Sequence, residues 1–254
     1  MTNEIDLSII IPAYQEAKRI GGTLERLAQF LKTKDYGSVE VLVVTATSSD
    51  GTDQAALAKA KLFQNFRLVD LGPRVGKGRD VRAGIFEARG RYKMFMDADL
   101  ATPLVHLDDI QAIIRRGGQV GIAVRNLTSS HTGLRKLISS FGNVLVQILL
   151  LPGIKDTQCG FKLFEAQAAT EIFSRQTVLG WGFDMEILAI ARKLGYKIEF
   201  IEAPDWQDVA GGTFSNVAVT GALDTLKDLL YIKWRMITRG YNQKKFVYEP
   251  HQTR

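Results

Sequence analysis

Met94-Phe95-Met96-Asp97-Ala98-Asp99-Leu100-Ala101-Thr102-Pro103 is the stretch on which the reading of this chain turns. Three apolar residues run straight into two carboxylates separated by one alanine. That is the pattern of a buried strand whose polar mouth opens where the strand ends, and residues 91–96 are predicted as that strand. If the backbone turns there, a spacing of two lets both acids approach one oxygen-seeking cation. Mg2+ or Mn2+ takes one or two carboxylates, completes its shell with diphosphate oxygens and water, and neutralises charge growing on a leaving group. The competing reading is a helix cap, with Asp99 or Thr102 capping a helix that Pro103 opens.

Outward from this stretch, residues 7–12, 39–44 and 66–70 are β-rich runs separated by longer helical patterns, which predicts an α/β domain. Glycines at Gly21-Gly22, Gly72-Pro73, Gly76 to Gly78 and Gly117-Gly118 predict turns, and no repeat or low-complexity linker interrupts the chain. In an open parallel sheet the ligand crevice lies outside the carboxyl ends of the strands. Four segments then become candidates: Pro12-Ala13-Tyr14-Gln15-Glu16, residues 45–52, Gly76-Lys77-Gly78 and Asp97-Ala98-Asp99. Gly76-Lys77-Gly78 offers backbone N–H groups and an ammonium to a phosphate, or is an ordinary helix start. Tyr14 and Glu16 suit stacking on and hydrogen bonding to a base or ribose, although Tyr14 also suits a cover for the sheet end.

A chain of 254 residues with 46% apolar content can bury the core of one large domain. Its single cysteine, Cys159, makes no internal disulfide, so a reducing cytosol is expected. The acidic N-terminus is unlike a signal peptide, and the longest lipid-like run, residues 144–151, is far too short to span a bilayer. Any membrane contact is therefore expected to be peripheral. The formal charge is +6, and residues 223–245 hold Lys227, Lys233, Arg235, Arg239, Lys244 and Lys245 against Asp224 and Asp228. Such clustering suits an anionic membrane, at ~1 kcal/mol per basic residue, better than nucleic acid. Leu223, Leu226, Leu230, Trp234, Ile237 and Tyr241 recur there at helical spacing, which predicts an interfacial helix or a helix packed on the domain. From Gly133 a second helical pattern places Arg135, Ser139, Asn143 and Gln147 on one polar stripe, opposite Leu134, Leu137, Ile138, Phe141, Leu145 and Ile148.

Five segments in order, Ile10-Ile11-Pro12-Ala13-Tyr14-Gln15-Glu16, Gly76-Lys77-Gly78, Asp97-Ala98-Asp99-Leu100-Ala101-Thr102-Pro103, Asp156-Thr157-Gln158-Cys159-Gly160-Phe161-Lys162 and Gly182-Phe183-Asp184-Met185-Glu186, resemble the inverting family 2 glycosyltransferases. Within that family the resemblance is nearest to dolichyl-phosphate β-glucosyltransferases and related polyprenyl-phosphate glycosyltransferases, and it extends over residues 7–213. It implies a GT-A fold: a Rossmann-like, nucleotide-sugar-binding mixed sheet flanked by helices, with amphipathic interfacial helices. It also implies a donor such as UDP-glucose and a divalent cation at Asp97 and Asp99. Pro12, Tyr14 and Glu16 would line the nucleotide, with Lys77 near the donor. Glu186 would reach the donor sugar or hold arginine side chains, an exposed helix glutamate being the plainer reading. Arg125, Arg135 and Ser139 would bind an acceptor phosphate. Asp156 would stand near that acceptor as base or orienting group, unless it is simply a turn aspartate.

The chain departs from the resemblance in one place. Where the family carries Asp-Asp-Gly-Ser after its second strand, this sequence reads Thr45-Ala46-Thr47-Ser48 and recovers the pattern only at Asp50-Gly51-Thr52. Thr45 can supply a hydroxyl but not a charged acceptor. Ala101, where the mannosyl relatives have Gln, resembles the glucosyl branch, and no residue is carried over from the loop at 206–212. The expectation is hexose transfer from a nucleotide sugar to a polyprenyl phosphate at the cytoplasmic face of a membrane. Residues 1–222 would form the catalytic domain and residues 223–254 a basic amphipathic helix and tail. The anchor is that helix or a membrane-protein partner. Two alternatives stay open: a non-catalytic nucleotide-sugar-binding or scaffold module, and a glycosyltransferase with a glycan or protein acceptor.

Overall fold

The computed structural model describes residues 4–125, 134–207, 218–243 and 246, giving the backbone alone for residues 134–141 and 218–223. Among the described residues seven strands form one sheet: β1 (Leu7–Ala13), β2 (Val39–Thr45), β3 (Asn65–Asp70), β4 (Tyr92–Met96), β5 (Val120–Arg125), β6 (Phe161–Glu165) and β7 (Ile198–Ala203). Their spatial order is β3-β2-β1-β4-β6-β5-β7. The first four are the strands expected from the sequence, all parallel. The sheet becomes mixed at β6, which runs antiparallel to both β4 and β5, while β5 and β7 pair in parallel. This one reversal places the start of β6 beside the ends of β4 and β5.

Eight helices flank the sheet among the described residues: α1 (Ala17–Leu31), α2 (Thr52–Leu57), α3 (Lys77–Glu87), α4 (Leu107–Arg115), α5 (Leu134–Leu149), α6 (Ala166–Phe173), α7 (Phe183–Lys193) and α8 (Ala218–Ile237). Side chains alternate across each strand, so one run serves two cores. Ile10, Leu42, Val44 and Phe95 pack with residues of α3, α5, α6, α7 and α8. Their strand neighbours Ile9, Ile11, Val41, Val43, Met94 and Met96 pack with α1, α2 and α4 on the other face. Each fully buried aliphatic side chain contributes ~1.5–3 kcal/mol.

Gly21 and Gly22, expected to mark a turn, lie inside α1. Each glycine costs a helix ~1 kcal/mol, but Ile20, Leu24 and Leu27 of the same helix are fully buried against the sheet, and that packing outweighs the local preference. The C-terminal stripe also divides. Leu226, Leu230, Trp234 and Ile237 are exposed along α8, whereas Tyr241 is wholly buried. The helix ends at Ile237 and Arg239 takes a positive φ of 58°, so the period breaks before Tyr241 and the chain folds back onto the core. Leu223 lies outside the residues with described side chains.

Candidate active site

Two residues with left-handed backbone stand at the carboxyl ends of the two central strands: Gln15, φ 56°, after β1, and Leu100, φ 55°, after β4. Non-glycine residues adopt this region at a cost of order 1 kcal/mol and do so where surrounding structure demands it. At Leu100 the turn folds the chain back so that Asp99 Oδ1 accepts from the Ala101 N–H at 3.0 Å. Neither Asp99 nor Thr102 caps a helix: the short helical turn at Leu104–His106 has no side-chain cap, and Thr102 Oγ1 meets the Cys159 sulfur at 3.3 Å. Burial first, and the nearby Asp97 charge second, raise the Asp99 carboxyl above the ordinary carboxylate range.

Lys77 opens α3 and is nearly buried, with its Nζ 2.5 Å from Asp97 Oδ1 and 5.4 Å from the centre of the Trp181 ring. Burial alone would depress the ammonium, but the charges of Asp97 and Asp184 outweigh it and raise its pKa. Glycines make room for this helix start. A Cβ at Gly76 would overlap the Leu179 carbonyl, and one at Gly78 would crowd Phe183 and the Val178 carbonyl. Gly160, just before β6, has the same role for the acid: a Cβ there would overlap the Asp97 carboxylate, and the Gly160 carbonyl accepts from the Asp97 N–H at 3.0 Å.

The turn after β1 is held by the loop after β2. The N–H groups of Gln15, Glu16 and Ala17 donate to Ser48 Oγ, Thr52 Oγ1 and Asp50 Oδ2 at 3.2, 2.9 and 3.1 Å. The recovered Asp50-Gly51-Thr52 thus caps α1 from a neighbouring loop. Glu16 lies within the field of Asp97 and Asp99 and pairs with Arg19 at 2.6 Å. Tyr14 carries the Arg74 guanidinium over its ring at 4.2 Å, and Pro12 lies in β1 opposite Val44. Thr45, at the end of β2, is wholly buried, with its hydroxyl making no hydrogen bond among the described residues.

Arg125 closes β5. Asp156 takes one edge of its guanidinium, accepting from Nε at 2.6 Å and Nη2 at 2.9 Å, and it also accepts from the Arg125 and Gln158 N–H groups at 3.1 and 3.0 Å. Burial would raise the Asp156 carboxyl, but the Arg125 charge and these four hydrogen bonds hold it below the usual range. Both Asp156 carboxylate oxygens are thus engaged by Arg125, and one of them also by the Gln158 N–H. Arg125 also lies within the field of Asp97. Arg135 and Ser139 lie on α5, where only the backbone is described.

Glu186, expected to reach the donor sugar or hold arginine side chains, or else to be an exposed helix residue, is not exposed. It is wholly buried and accepts from the Thr177 N–H and hydroxyl, the Val178 N–H and the Tyr241 hydroxyl, at 2.9, 2.6, 2.7 and 2.7 Å. It braces the 177–178 loop against the C-terminal segment. Sequence reasoning overlooked Lys162 and Asp184, which pair at 2.5 Å with both side chains buried and tie the fourth motif to the fifth. A lysine inside the apolar run Phe161-Lys162-Leu163-Phe164 was the available signal. Trp181 was also overlooked, and Trp206, in the loop from which no residue was carried over, covers the Arg125 guanidinium at 4.9 Å.

Among the described residues no group of three or more His, Cys, Asp or Glu side chains is arranged to hold a metal ion. The protein would thus supply a cation with Asp97 and Asp99 and leave its other positions to diphosphate oxygens and water. That donor set fits Mg2+ or Mn2+ and differs from a closed structural zinc site.

Residues 8–173 match the family model described as glycosyl transferase family 2. A dolichyl-phosphate beta-glucosyltransferase of Trichomonas vaginalis is 32% identical, over 89% of this chain and 72% of its own length. The human dolichyl-phosphate beta-glucosyltransferase is 31% identical, over 92% of this chain and 77% of its own. Among solved structures, glucosyl-3-phosphoglycerate synthase of Mycobacterium tuberculosis, in complex with Mn2+, uridine diphosphate and phosphoglyceric acid, superposes with a TM-score of 0.66 at 17% identity. That match covers 90% of this chain and 78% of the synthase. The motifs, the mixed sheet and the site gathered at its strand ends agree with these matches, and the chain belongs to glycosyl transferase family 2, as a glycosyltransferase of GT-A fold.

Proposed function

We propose that this enzyme transfers a hexose, glucose by its similarity to the dolichyl-phosphate relatives, from a nucleoside diphosphate sugar to a polyprenyl phosphate, with inversion at the anomeric carbon. The observation that carries the reading is a pair of anion-facing groups at one end of one sheet. Lys77 with Asp97 and Asp99 suits a cation-bridged diphosphate, and Arg125, clamped by Asp156, suits a second phosphate. Asp156 occupies two guanidinium N–H groups, and among the described residues Nη1 makes no hydrogen bond. That free edge matches a phosphate oxygen.

In this mechanism Asp97 and Asp99 would hold Mg2+ or Mn2+, whose positive charge stabilises the departing diphosphate. The ammonium of Lys77 adds a second positive charge on the donor side. Pro12, Tyr14, Glu16 and Thr45 would line the nucleotide, with the unpartnered Thr45 hydroxyl meeting a polar atom of the base or ribose. Arg125, with Arg135 and Ser139 from α5, would fix the acceptor phosphate. Such an acceptor is already an anion, so attack needs alignment and charge control more than a base. The engagement of Asp156 is consistent with that requirement.

A lipid acceptor calls for contact with a membrane surface. No described helix is long and apolar enough to cross one. Leu230, Trp234 and Ile237 are 55%, 59% and 70% exposed on α8, and on a helical projection Lys227 and Lys233 flank this stripe on either side. An apolar stripe with an aromatic anchor and basic edges suits an interfacial helix, lying on the cytoplasmic face of the membrane. Incubation with Mg2+, labelled UDP-glucose and polyprenyl phosphate should yield a labelled lipid. Absence of product across several nucleotide sugars, or labelling of a glycan or protein acceptor instead, would defeat the proposal.

A further inference from the structure

Arg125 reaches the end of β5 with one guanidinium edge clamped and its face open to whatever the neighbouring strand brings. The neighbour is β7, in register with Arg125 opposite Ala203. Three residues beyond Ala203 the chain places Trp206, with Arg125 Cζ 4.9 Å from its ring centre. A cation over an indole face is attracted by the ring quadrupole, most strongly where both are shielded from water. The Arg125 side chain is 17% exposed.

Two ties hold the Trp206 segment, and both come from the stretch following the acidic pair. The Gln207 N–H donates to the Ala101 carbonyl at 3.0 Å. Asp205 Oδ1 lies 2.7 Å from Nε2 of the buried His106, whose Nδ1 meets Asp109 Oδ2 at 2.9 Å. Ala101 and His106 belong to the same continuous segment as Asp97 and Asp99. The donor-side carboxylates and the cover over the acceptor-side guanidinium therefore share one scaffold.

We infer that Trp206 is a positioning residue for acceptor recognition: stacked on Arg125 and held by Asp205 and Gln207 to the segment after the acidic pair, it sets the plane in which Arg125 presents its free Nη1 edge. This rests on Arg125 binding the acceptor phosphate. Asp156 fixes the guanidinium along one edge but leaves its face uncovered. Trp206 supplies the missing constraint, and an aromatic ring is what the position requires.

The test compares the wild-type enzyme with Trp206→Leu, Trp206→Phe and Asp205→Asn, using labelled UDP-glucose with Mg2+ and a short-chain polyprenyl phosphate. Trp206→Leu should raise the KM for the polyprenyl phosphate roughly 3- to 30-fold and leave the KM for UDP-glucose unchanged. Trp206→Phe should recover most of the loss, and Asp205→Asn should shift the acceptor KM in the same direction by less. An acceptor KM unmoved in Trp206→Leu, equal losses in the Leu and Phe variants, or parallel rises in both KM values would overturn the inference while lipid product from the wild type leaves the proposed reaction standing. No lipid product from the wild type would overturn the reaction, and this inference with it.

Discussion

The hydrogen side chain of Gly160 gives the Asp97 carboxylate its place: a Cβ at Gly160 would overlap all three carboxyl atoms, and the Gly160 carbonyl receives the Asp97 N–H. A glycine is needed here for space, since its backbone is not in the left-handed region. Gly160→Ala must swing Asp97 away from Lys77. The expected result is a loss of Mn2+-enhanced UDP binding of tenfold or more, about 1.4 kcal/mol, with little change in thermal midpoint. Calorimetry with and without Mn2+ measures it, and unaltered enhancement would contradict the placement of the cation.

Lys77 occupies part of the charge space between the carboxylates and a cation. Lys77→Met should strengthen binding of Mn2+ alone, because Asp97 loses its neutralising partner at 2.5 Å. The same change should weaken binding of UDP-glucose with Mn2+ by about tenfold or more, given ~1.5–3 kcal/mol for a hydrogen bond to a charged group. Opposite shifts of the two affinities are the signature, and a change in the same direction would rule out a donor role for the ammonium.

The Arg125–Asp156 pair is shielded at both ends, Asp156 being 2% exposed. Asp156→Asn leaves a guanidinium without its counter-charge and should cost roughly 3–5 kcal/mol of stability. The Asp156 carboxyl titrates below its usual range in the fold, so its stabilisation is complete above the unfolded value near pH 3.8 and is lost as pH falls through the lower folded value. Urea unfolding of both proteins should therefore differ strongly at pH 7 and converge in acid.

His106 has the opposite sign. Burial would lower its pKa, but hydrogen bonds to Asp205 and Asp109 outweigh it and raise it above the ordinary 6.5. The stabilisation from the charged ring is complete below that ordinary value and lost as pH rises through the higher folded one. Thermal midpoints of the wild type and His106→Gln, followed from mildly acidic to alkaline pH, should thus differ most at the acid end. A difference independent of pH would show that the imidazolium contributes nothing.

Exposed apolar groups on α8 give a test of membrane contact that leaves the core intact. Removing residues 223–254 would also remove Leu229, Ile232 and Tyr241, all buried. Trp234→Ser with Ile237→Ser avoids that. The double variant should lose binding to anionic vesicles by more than about tenfold, at ~1.5–3 kcal/mol for each large side chain withdrawn from lipid. Flotation equal to that of the wild type would shift the anchor to a partner protein or another surface.

Much of this was legible in the linear chain because it depends on local pattern. The first four strands were readable from short apolar runs, and the acidic pair from its position after one of them. Strand β6 was not readable: five residues containing Lys162 look unsuited to a buried strand until Asp184, distant in sequence, supplies the counter-charge. Nor was β7, whose Glu199 and Glu202 disguise a strand at the edge of the sheet. The burial of Glu186 was not readable for a similar reason, since its four donors come from a loop and a tyrosine that sequence spacing does not bring near it.

The amino-acid sequence by itself determined the α/β alternation, the strand-end acids and the family, because hydrophobic period and short motifs act over a few residues. Only the tertiary structure decided that Asp156 clamps Arg125, that Trp206 covers it, and that Gly160 admits Asp97. These depend on antiparallel β6 entering between β4 and β5 and on the parallel pairing of β5 with β7, pairings of segments far apart in the chain that are set by the burial of both sheet faces together.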